Sequence, residues 1–99
     1  MTTINFHRSG GVIGNEIQYE VDLNELPADE AQHLTRMVME ADFFKIPEDL
    51  AGNTTTDEFK YTVSVEAGQT SHTVHVTDTT MPRDLLPLVK ELTIMRVLR

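Results

Sequence analysis

The sequence predicts an α+β domain: a four-stranded antiparallel sheet with two helices packed on one face, in the order ββαββα. Three observations carry this expectation. Apolar side chains alternate with polar ones in four short segments, the period of a half-buried strand. They recur at spacings of three and four in two longer segments, the period of an amphipathic helix. Two helices over one face of such a sheet is the simplest arrangement that buries every apolar stripe.

Taken in order, Ile4 and Phe6 alternate with Asn5 and His7, and Ile17, Tyr19 and Val21 alternate with Gln18, Glu20 and Asp22. Between them lies Arg8-Ser9-Gly10-Gly11-Val12-Ile13-Gly14-Asn15, which reads as the glycine-rich loop of a hairpin. Phe6 can face either Ile17 or Tyr19; both registers keep the apolar side chains on one face, so the pattern does not choose between them. Pro27 opens the first helix, with Asp29 and Glu30 in its first turn at the positive end of the helix dipole. Its stripe is Ala31, Leu34, Met37, Val38, Ala41 and Phe44, and Pro47 is expected to stop it. Leu50 to Asp57, with Gly52, Asn53 and three threonines, reads as a polar loop.

In the second hairpin Phe59, Tyr61, Val63 and Val65 alternate with Lys60, Thr62, Ser64 and Glu66. A two-residue turn at Gly68-Gln69 pairs Val65 with His72, Val63 with Val74 and Tyr61 with Val76. It also sets Phe59 opposite Asp78 and gathers the apolar set on one face. Glycine first in the turn suits type II′. Thr79-Thr80-Met81-Pro82 supplies a helix start, and Leu85, Leu88, Val89, Leu92 and Met95 continue the helix. Pro87 is expected one turn inside it, removing a hydrogen bond to Arg83 and bending the segment.

Ninety-nine residues make one domain, spanning residues 1–99. A chain of this length buries roughly two-thirds of its unfolded surface, so a single core is expected. No apolar run approaches the roughly 18 residues of a membrane span. The start of the chain lacks a basic segment followed by an apolar one, so export through a cleaved signal is not expected. The absence of cysteine rules out disulfide and thiolate chemistry and fits a reducing compartment; a cytoplasmic protein, monomeric when free, is the expectation. Sixteen acidic residues against eight basic ones give a net charge of −8. That balance disfavours nucleic acid and anionic lipid surfaces, which are bound by clustered lysine and arginine.

A search for chemistry finds no catalytic constellation. His72 and His75, three apart on a strand, face opposite sides of the sheet and cannot chelate one ion. Ser9 before Gly10-Gly11 lacks the Gly-x-Ser-x-Gly elbow and precedes a strand, where that elbow precedes a helix. The glycines carry no Gly-Lys-Ser/Thr phosphate-loop ending. No cofactor is expected. What stands out is Val12-Ile13 framed by Gly10, Gly11 and Gly14. One reading folds an apolar side chain back over the sheet; the other presents an apolar tip that anchors in a partner's pocket.

Phe6-His7-Arg8-Ser9-Gly10-Gly11, Leu26 to Ala31, Phe43-Phe44-Lys45-Ile46-Pro47, Asp57-Glu58-Phe59-Lys60-Tyr61, His72-Thr73-Val74 and the Pro82 to Leu92 segment together resemble the small bacterial proteins called emfourins. The likeness runs nearly the length of the chain in the same order. Emfourins inhibit thermolysin-like zinc metallopeptidases of the protealysin type. The resemblance therefore implies a reversible protein inhibitor, without catalytic activity or metal of its own, that blocks a partner's active-site cleft. Candidate docking residues are Arg8, Ser9, Gly10, Gly11, Val12, Ile13 and Asp57, with either Val12 or Ile13 filling an apolar pocket or, instead, Asp57 approaching the partner's zinc or its catalytic arginine or histidine. A non-inhibitory adaptor would present the same acidic surface and loops.

Overall fold

A computed structural model describes residues 2–10, 16–50 and 58–98, with backbone alone for 96–98. Its elements are β1 (Thr2–Gly10), β2 (Ile17–Asp22), α1 (Ala28–Glu40), β3 (Phe59–Ala67), β4 (Thr70–Thr77) and α2 (Leu86–Leu98). This is the expected ββαββα order. The sheet runs β2-β1-β3-β4, with every neighbouring pair antiparallel. The central pair, β1 and β3, joins the two ββα halves along a ladder from Thr2 opposite Ala67 to Gly10 opposite Phe59.

Alternation decides what the sheet buries. Ile4, Phe6, Val21, Tyr61, Val63, Val65, Val74 and Val76 are buried on one face. Leu34 and Val38 of α1, and Leu88, Val89 and Leu92 of α2, close over them, with Leu23, Phe43 and Ile46 from the connecting segments completing one core. Between the two registers open to the first hairpin, the structure takes Phe6 opposite Tyr19. Phe6 meets Tyr19 edge to face at 5.9 Å, and the Tyr19 hydroxyl donates to the Leu92 carbonyl, tying β2 to α2.

The second hairpin forms in the expected register from Lys60 opposite Thr77 to Ala67 opposite Thr70. Gly68 has φ +64°, and no non-glycine residue there has positive φ. Positive φ at the first turn position alone is the type II′ signature.

Two expectations about the helices are corrected. The first helix ends at Glu40, well before Pro47: Asp42 takes a left-handed conformation (φ 54°, ψ 45°), and a short 3-10 turn covers Phe43–Lys45. Asp tolerates that region better than most side chains. The break shifts the helical phase, so Phe43 enters the core at 1% exposure while Phe44, the residue in the stripe, is 39% exposed. At the other helix, Leu85 receives the Val89 N–H and α2 begins at Leu86. Pro87 therefore stands in the first turn, where its missing N–H has no intrahelical acceptor to lose.

Ahead of β3, the Leu50 N–H donates to the His75 carbonyl at 2.8 Å and the His75 N–H to the Glu48 carbonyl at 2.7 Å. This parallel bridge covers part of the β4 edge, which would otherwise present unpaired backbone groups. Among the described residues, no helix is long and apolar enough to cross a membrane.

Candidate functional site

The end of the sheet where β1 finishes is set by close backbone approach. Gly10 has φ +86°, and a Cβ built on it would lie 2.8 Å from the Glu58 carbonyl oxygen. Positive φ and this contact together leave room for glycine alone. The segment leaving β1 and the segment entering β3 thus meet the described fold at adjacent points. Gly11, Val12, Ile13 and Asp57 lie outside the described residues, so of the candidate docking residues Arg8, Ser9 and Gly10 are the ones the structure places.

Strand alternation sends Arg8 and Ser9 to opposite faces. Ser9 is on the open face, beside His7, Lys60, Thr62 and His75 in a shallow cleft of about 350 Å³. There His7, Thr62 and His75 form one row across β1, β3 and β4, because His7 is paired with Thr62 and Thr62 with His75. The His75 Nδ1 lies 3.0 Å from the Thr62 hydroxyl, and His7 Nε2 lies 3.5 Å from a Glu16 carboxylate oxygen. Among the described residues no three His, Asp or Glu side chains converge on a metal-binding point. His72 turns to the other face, with Nε2 2.6 Å from the Ile46 carbonyl oxygen and its ring edge-on to Phe43.

Arg8 is on the helix-covered face. Its guanidinium carbon is 4.3 Å from the centroid of the Phe59 ring, a cation–π contact across the β1–β3 ladder. Its Nε is shielded from solvent and makes no hydrogen bond among the described residues. Beside it the Tyr61 hydroxyl donates to Asp78 Oδ1 at 2.9 Å, and the Phe59 N–H donates to Oδ2 at 3.1 Å. Burial first, then the hydrogen bond and charge of Asp78, push the Tyr61 phenol up to about 12, against a smaller opposing pull from Arg8. Tyr61 is therefore a proton donor throughout the neutral range. Leu86, Lys90 and Ile94 of α2 complete a cleft of about 320 Å³ around Arg8, Tyr61 and Asp78.

A family model for emfourins matches residues 6–93. The chain belongs to the emfourin family. This is an inhibitor family, and its membership makes the protein a non-catalytic one. Among solved structures, the fold is similar to emfourin (M4in) from Serratia proteamaculans, described as an M4 family peptidase inhibitor. The TM-score is 0.51 at 15% identity, over 90% of this chain and 86% of that one. No curated protein matches the chain.

The sequence of this emfourin does not by itself point to the α2 side of the cleft. The signal was there in part: Ile94 falls off the apolar stripe of α2 and is 50% exposed, and Asp78 was expected opposite Phe59. That α2 would lie beside Arg8 is a matter of how the helix packs, which no local pattern states.

Proposed function

We propose that this emfourin is a reversible protein inhibitor of a thermolysin-like, protealysin-type zinc metallopeptidase, acting by obstruction of the enzyme's active-site cleft. Family membership carries the reading, and the likeness in fold to an M4 peptidase inhibitor supports it. The docking end is the one where β1 finishes. Arg8, Ser9 and Gly10 lead there into Gly11, Val12 and Ile13, and Asp57 precedes Glu58 at the adjoining strand start. An apolar side chain on a glycine-framed segment suits a pocket that accepts bulky apolar residues after the scissile bond. The zinc belongs to the peptidase. A cysteine-free chain is compatible with action in the cytoplasm, and a monomer suffices for one-to-one capping of a cleft.

The test is titration of a protealysin-type peptidase with this protein, read with a short reporter peptide. Activity should fall to near zero around an equimolar ratio and recover on dilution at the rate of dissociation. Binding without loss of activity would replace inhibition by the adaptor role.

A further inference from the structure

Among the described residues Arg8 is a cation without an ion-pair partner, in a chain with twice as many acids as bases. Among the described residues no carboxylate lies within ion-pair distance of it, and its buried Nε is unsatisfied. A buried N–H that makes no hydrogen bond is costly, so the shielded Nε of this half-buried arginine leaves recognition capacity unused. Phe59 holds the guanidinium by its face, and each oxygen of Asp78 already accepts a hydrogen bond from a neighbour.

Across the cleft, Leu86, Lys90 and Ile94 are spaced by four residues and make one row along α2. Lys90 is exposed and also has no ion-pair partner among the described residues, while Leu86 and Ile94 are 39% and 50% exposed. The cleft therefore offers two cations that are unpaired among the described residues, beside two exposed apolar side chains. Arg8 stands two residues before Gly10, so a partner held at the end of β1 lies within reach of it.

We infer that this cleft is a second docking site for the peptidase, and that it receives a surface segment of the enzyme bearing an aspartate or glutamate next to an apolar side chain. The inference rests on the inhibitor reading and adds the chemistry of the partner's complementary surface. The carboxylate pairs with Arg8, whose planar fork suits it, and Lys90 adds attraction from the opposite wall. The apolar neighbour covers Leu86 and Ile94.

The test measures the inhibition constant against a protealysin-type peptidase, with thermal midpoints as the check on folding, for Arg8→Met, Lys90→Met and Ile94→Ser. Arg36→Met, on the outer face of α1, makes the same charge change away from the cleft. Arg8→Met should weaken inhibition about 30-fold, and Lys90→Met and Ile94→Ser each about 5- to 10-fold, while Arg36→Met stays near wild type. The loss on raising ionic strength should also be smaller for Arg8→Met than for the wild-type protein. If Arg8→Met fails to fold, the two exposed positions on α2 carry the test. Wild-type inhibition constants for folded Lys90→Met and Ile94→Ser overturn the site and leave the inhibitor reading standing. A wild-type protein that does not inhibit removes both. A dimer in sedimentation that Ile94→Ser dissociates, with inhibition unchanged, assigns the cleft to a second copy of the chain and likewise overturns the proposal.

Discussion

The two ends of the sheet each turn on a glycine with positive φ, and for different reasons. At Gly68, between β3 and β4, φ is +64° and an added Cβ would meet nothing within 4 Å. Only the backbone conformation calls for glycine. At Gly10, φ is +86° and the added Cβ would press on the Glu58 carbonyl at 2.8 Å, so space and conformation both forbid a side chain. The Gly68 end is a closed hairpin that any type II′ turn could make. At the Gly10 end, β1 and β3 are locked together beside Arg8 and the Tyr61–Asp78 pair, and the candidate docking segments adjoin it. The two glycines look alike in sequence and do different work.

Substitution separates them. Gly10→Ala should cost about 3 kcal/mol, the sum of backbone strain and overpacking against a carbonyl that belongs to the ladder. Equilibrium denaturation would measure it, and a cost below that of the other glycine would break the contrast. Gly68→Ala should cost about 1 to 1.5 kcal/mol, strain alone, with inhibition by the folded protein unchanged.

Tyr61→Phe, at the Gly10 end, should cost about 1 kcal/mol at neutral pH by deleting the hydrogen bond to Asp78. Its pH signature is more telling. The folded-state phenol titrates at about 12 against 10.0 for the unperturbed group, so the folded protein keeps a proton that the unfolded chain releases. The stabilisation from this group is complete below pH 10 and is lost as pH rises towards 12. Denaturation at stepped alkaline pH should show wild type losing more stability over that window than Tyr61→Phe; parallel curves would mean that Asp78 does not hold the phenol. The smallest effect is expected on the open face, where Ser64 and Thr73 hydroxyls pair at 2.7 Å. Ser64→Ala should cost only a few tenths of a kcal/mol, because water can replace the partner there.

What was readable in advance follows the range of the interactions. The β3–β4 register was legible because a two-residue turn and strict alternation fix each other over neighbouring residues. The β1–β2 register was not, since both candidates put Ile17, Tyr19 and Val21 on the same face; packing of Phe6 against Tyr19, and of Tyr19 against α2, accompanies the one adopted. The α1 terminus departs from the sequence pattern because Phe43 and Phe44 are adjacent, and one left-handed residue at Asp42 moves the chain from one phase to the other. For the candidate site, the place of Arg8, Ser9 and Gly10 in a recognisable series is legible in the sequence, whereas the position of Lys90 and Ile94 across from Arg8 depends on how α2 packs.

By itself, then, the sequence determined the ββαββα order, the identity of the sheet's buried face and the turn at Gly68, since each depends on periodicity or backbone preference within a few residues. Tertiary structure decided the β2-β1-β3-β4 strand order, the close approach of Gly10 to Glu58 and the cleft beneath Arg8. These join residues dozens of positions apart, and their energies come from complementary surfaces that exist only once the elements have packed.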